Sequence, residues 1–166
     1  MLRKFPRMSG YGYTYSSKAI RVEDATPFIW SQRWLLQTIP WIFSLGGTAG
    51  TRAPHIWVQH DGRRISTLDL FGTAFVLLAG AEGDKWCEAA SKVADATGLD
   101  LLAYSAGSAG DLVCATGSWE SAAWVSPSGA LLVRPDGFVA WRAWKQPRDI
   151  QRKITQALMQ ALCREG

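Results

Sequence analysis

The sequence predicts an α/β fold built on a mixed sheet, and three stretches carry that prediction. Phe75-Val-Leu-Leu is a continuous apolar run closed by Gly80, as in a strand buried on both faces. Trp86, Ala89, Ala90, Val93 and Ala94 then recur at helical spacing until Gly98 supplies a stop. Ala130-Leu-Leu-Val-Arg and Phe138-Val-Ala-Trp-Arg flank Pro135-Asp136-Gly137. Proline sets φ at the first corner and glycine tolerates positive φ at the last, so an antiparallel hairpin follows.

The remaining elements fall into place around these. Residues 1–9 read as a basic terminus, and 11–22, with aromatics at alternate positions, as a short strand. Asp24 and Pro27 open a turn, an aromatic-rich segment follows at 28–45, and Gly46-Gly-Thr-Ala-Gly50 reads as a flexible loop. Ile56–Gln59 and Arg64–Thr67 flank His60-Asp-Gly-Arg63, where Asp-Gly favours a hairpin turn. The 75–78 strand, a helix of about fifteen residues and a second buried run at Leu99–Tyr104 form a βαβ unit with a right-handed crossover. A glycine-rich loop spans 107–117. Pro147 suits a first helical turn and Asp149 the positive end of the helix dipole. Ile150, Ile154, Ala157, Leu158, Ala161 and Leu162 form one apolar stripe that must lie on the sheet. A βαβ unit followed by ββα is the thioredoxin-like arrangement, a mixed sheet with helices on both faces. It occupies 51–166, with residues 1–50 as an N-terminal extension.

Composition sets the function classes. The chain has 166 residues, 48% hydrophobic and 19% charged, enough for one core and not disordered by composition. Its formal net charge of +4 is scattered in pairs such as Arg3-Lys4, Arg63-Arg64 and Arg152-Lys153. Nucleic-acid binding would want a concentrated basic stripe. Trp34–Leu45 is short and interrupted by Pro40, whereas a bilayer span needs about 20 apolar residues. A soluble, cytoplasmic protein with no nucleic-acid or membrane partner is expected. The nine tryptophans read mainly as core.

Individual residues offer few chemical sites. Cys87, Cys114 and Cys163 form no CxxC pair and no metal-ligand spacing, so reduced thiols and no metal are expected. Cys87 lies near the start of the central helix, where a redox thiol would sit, but has no resolving partner. Arg52 and His55 flank a short extended stretch and could touch a ligand or satisfy backbone carbonyls and Asp69. Asp69, between Leu68 and Leu70, suits a hydrogen-bonded turn or an arginine pair. Arg134 and Arg142 stand on opposite arms of the last hairpin and could pair across it or with carboxylates elsewhere. Phe28, Trp30, Trp34, Leu35, Trp41 and Phe43 are too many and too large to expose singly, which points to an association surface or to extra core.

Three ordered segments resemble one known family. Thr51-Arg-Ala-Pro-His-Ile-Trp-Val, Ser66-Thr-Leu-Asp-Leu-Phe-Gly and Leu132-Val-Arg-Pro-Asp-Gly-Phe-Val-Ala-Trp-Arg are similar to the C-terminal domain of class A FAD-dependent aromatic hydroxylases, the phenol- and polyketide-hydroxylating monooxygenases. The resemblance covers roughly 10–22 and 50–163; it marks Arg52, Pro54, His55, Asp69, Arg134, Asp136, Gly137, Trp141 and Arg142 as motif positions. The segment at 28–45 is longer and more apolar than the loop expected there. In the full-length family FAD and NAD(P)H are bound by domains that precede this one, through a GxGxxG fingerprint; Gly46-Gly47 and Gly107–Gly110 lack it. The resemblance therefore implies an accessory or interaction domain with no cofactor of its own, meeting a flavoprotein partner or a second copy. The alternative is a stand-alone isomerase or cyclase with a tryptophan-lined pocket and His55 or Asp69 as acid/base.

Overall fold

The computed structural model of the protein describes residues 47–114 and 119–163. The expected strand at 11–22 and the aromatic segment with Phe28, Trp30, Trp34, Leu35, Trp41 and Phe43 lie outside these residues.

The first hairpin joins β1 (Trp57–His60) to β2 (Arg63–Ser66). Its two-residue loop places Asp61 at φ +49° and Gly62 at φ +75°, the doubly left-handed turn whose twist matches antiparallel strands. A 3-10 turn at Thr67–Leu70 follows. Next come β3 (Phe75–Ala79), α1 (Asp84–Thr97) and β4 (Leu101–Ser105), with β3 and β4 parallel. Gly98 ends α1 at φ +67°, its N–H bonded to the Ala94 carbonyl. The stretch expected as a loop contains β5 (Val113–Cys114), which adds to β1, and α2 (Trp119–Ala123) follows it. Both are too short to leave a periodic signal. The chain ends with β6 (Ala130–Val133), β7 (Val139–Ala143) and α3 (Ile150–Ala161).

The main sheet has the order β4-β3-β6-β7, with β6 antiparallel to β3 and β7 antiparallel to β6. This is the expected βαβ-then-ββα connectivity. Leu132 pairs with Trp141 but Val133 with Val139, so Ala140 is an extra residue in β7. The bulge turns both Ala140 and Trp141 toward one face. On that face Leu77, Ala79, Leu101 and Leu132 meet Trp86, Ala89, Ala90 and Val93 of α1 and Ile154, Ala157 and Leu158 of α3. On the other face Val76, Leu78, Leu131 and Val133 meet Val58, Trp119 and Ala123. The second face is thus covered by a three-stranded sheet, β2-β1-β5, together with the short α2.

Local sequence also decides where α3 begins. The Asp149 side chain accepts from the Arg152 N–H at 3.0 Å, so the helix starts at Ile150 and Pro147 stays outside the first turn. Residues 47–51 are a defined turn rather than a loose loop. Thr51 Oγ1 donates to the Thr48 carbonyl at 2.7 Å and the Gly50 N–H to Val139 at 2.8 Å. From there Arg52 bridges Phe138, and Ala53 N–H reaches the Gly137 carbonyl, extending the sheet past the start of β7.

Tryptophans divide evenly among the described residues, against the expectation that most are core. Trp86, Trp119 and Trp141 are buried, whereas Trp57, Trp124 and Trp144 are exposed by 42%, 40% and 46%. Trp86 Nε1 donates to the Ser128 carbonyl at 2.9 Å, while the buried Nε1 atoms of Trp119 and Trp141 meet no acceptor among the described residues. An unsatisfied buried donor costs about 1–3 kcal/mol, and a satisfied one contributes about 1 kcal/mol. Trp86→Phe is therefore expected to destabilise the fold more than Trp141→Phe, by about 1–2 kcal/mol, in urea unfolding followed by circular dichroism.

Candidate functional site

The residues singled out in the sequence do not converge on a pocket. His55 is exposed and stands edge-on to Trp57, ring centroids 5.3 Å apart. Arg52 is exposed with its guanidinium 5.1 Å from the centre of the Phe138 ring. Asp69 is exposed and closes a capping box: its carboxylate accepts from the Ser66 N–H at 2.8 Å while Ser66 Oγ accepts from Leu68 N–H at 3.0 Å. Neither Arg52 nor His55 pairs with Asp69 among the described residues. The turn, rather than an arginine, takes the carboxylate, because Ser66 needs a partner for its N–H at the edge of β2.

The two hairpin arginines also part company. Arg134 binds Asp136 at 2.5 Å within the turn. Arg142 is buried and stands opposite Leu131. The bulge and the Pro-Asp-Gly turn set that register, so the two side chains do not face each other across the strands. Pro54 contributes its carbonyl, which accepts from Thr67 Oγ1 at 2.8 Å and ties the incoming chain to the 3-10 turn. Gly137 adopts φ +79°, as the turn requires.

Cys87 and Cys114 are placed against redox chemistry. Cys87 sits in the first turn of α1, yet burial, followed by the nearby Asp111 and Asp84 carboxylates, pushes its pKa up to about 11. Burial also raises Cys114, opposed by a hydrogen bond from the Trp119 backbone. A redox nucleophile at a helix N-terminus needs the opposite shift. Among the described residues no three metal-ligating side chains cluster, and no helix is long and apolar enough to cross a membrane.

The strand–loop–helix at Gly80–Gly83 is the place where a dinucleotide phosphate would sit. Three of its donors are already used: Gly80 N–H binds the Gly129 carbonyl at 3.0 Å, Glu82 N–H the Pro127 carbonyl at 2.9 Å and Ala81 N–H the Glu120 carboxylate at 3.0 Å. A Cβ at Gly80 would meet the Pro127 oxygen at 2.5 Å, so the chain itself fills the cradle. Glu82 and Asp84 add negative charge there. These residues do not fit FAD or NAD(P)H. A surface concavity of about 440 Å³ is lined by Pro147, Arg148, Asp149, Arg152, Lys153 and Gln156, and includes neither tryptophan nor His55 nor Asp69.

Exposed aromatic surface remains among the described residues. On the outer face of the small sheet Trp57 lies under the Arg64 guanidinium at 4.8 Å, beside His55. Trp124 and Trp144 are exposed as well. Trp124 follows α2 in a left-handed conformation, φ +53°, which costs a non-glycine residue about 1–3 kcal/mol. Two residues on, the Ser126 N–H donates to the Trp144 carbonyl at 2.9 Å, bringing the two chain segments side by side. Only tertiary structure shows these surfaces; in the sequence each tryptophan is an isolated apolar residue.

Residues 47–164 match the family model described as "Aromatic-ring hydroxylase, C-terminal". The chain belongs to this family. It is 40% identical over 153 residues to the tetracenomycin A2 monooxygenase-dioxygenase of Streptomyces glaucescens, covering 92% of this chain and 26% of that protein. It is 42% identical over 118 residues to the 4-methyl-5-nitrocatechol 5-monooxygenase of a Burkholderia species, covering 71% of this chain and 22% of that one. Among solved structures, aklavinone-11 hydroxylase in complex with FAD and aklavinone is similar at TM-score 0.75 and 31% identity, over 92% of this chain and 26% of that one. The hydroxylase domain described here thus spans about a quarter of the length of the relatives it matches.

The Cys87 environment gives a pH test. Its raised pKa means that the unfolded thiol ionises first, so its contribution to stability is complete below about pH 9 and is lost as pH rises toward about 11. In a Cys114→Ser/Cys163→Ser background, the alkylation rate of Cys87, followed by mass spectrometry, is expected to rise with a midpoint near 11. A midpoint below 8 would restore a redox reading.

Proposed function

We propose that this chain is an accessory domain of an aromatic-ring hydroxylase, working by docking onto the flavin- and substrate-binding body, whether that body is in the same polypeptide or supplied in trans. The observation that carries the reading is coverage: the chain matches only the C-terminal quarter of hydroxylases that are themselves far longer. Hydroxylation chemistry belongs to the flavin, and the glycine loop of this domain is filled by its own backbone. Its contribution to the reaction is mechanical. A rigid, doubly covered sheet presents exposed aromatic side chains to a partner and holds that partner's surface away from water. The substrates of the relatives, tetracenomycins, catechols and aklavinone, mark the class of molecule the assembled enzyme acts on: a phenolic or polyketide aromatic ring.

The stand-alone isomerase or cyclase reading finds less support, since His55 and Asp69 are exposed and the Asp69 carboxylate is committed to a cap. Two titrations test the accessory reading. Calorimetry of the chain with FAD and with NADPH is expected to give no saturable heat at micromolar concentrations. The flavin-loaded body of the tetracenomycin A2 monooxygenase-dioxygenase, prepared without its C-terminal quarter, is expected to bind the chain; no association up to about 100 μM, where binding would be worth less than about 6 kcal/mol, would remove the proposal.

A further inference from the structure

We draw no further inference here: the strongest candidate, the exposed outer face of the small sheet where strand register puts Trp57, Gln59, Arg64 and Val113 on one side, carries nothing, because nothing in the structure shows what covers it.

Discussion

Strand β6 is the constraint on which the rest of the domain depends. Its four residues, Ala130–Val133, are fully buried, because the strand is paired on both edges and covered on both faces. Alternation sends Leu132 toward α1 and α3 and Leu131 and Val133 toward the small sheet and α2. A one-residue slip would exchange these two cores. The Pro135-Asp136-Gly137 turn and the bulge at Ala140 hold that register, the turn from outside through Arg134 and Asp136 and the bulge by turning Trp141 inward. Residues 50–53 are then aligned on the start of β7 and the turn before it, through the Gly50 and Ala53 backbone bonds to Val139 and Gly137.

That framework explains why the conspicuous polar residues are structural. Asp69 caps a turn, Arg134 pins the hairpin, Pro54 receives Thr67 and Asp149 starts α3. Each satisfies backbone or side-chain polarity that folding would otherwise strand. What is left for function is the surface not consumed by the fold. Among the described residues that surface includes the aromatic side chains of Trp57, Trp124 and Trp144. Half of the described tryptophans fill the two cores and half stand in solvent.

The fold was largely legible because its signals are local. The continuous apolar run of β3, the helical spacing of α1, the Asp61-Gly62 and Asp136-Gly137 turns and the stripe of α3 each need only a few neighbouring residues to be read. The ordered motifs carried the family as well. Less legible were β5, which is two residues long and exists through pairing with β1, and α2, five residues long and fixed by burying Trp119 and Ala123. Pro147 suggested a helix start that the Asp149 side chain places further on.

By itself the sequence determined the class of fold, the order of its longer strands and helices and the family, because periodicity, turn chemistry and motif order are written along the chain. Tertiary structure alone decided which tryptophans are inside, where Arg142 lies, and that the Gly80–Gly83 loop is closed by Pro127 and Glu120. It also brought Gly47 against Ala123 and Ser126 against Trp144. Those outcomes depend on contacts between residues tens of positions apart. An isolated tryptophan, or a glycine between a strand and a helix, reads the same in sequence whether its neighbours leave it open or fill the space around it.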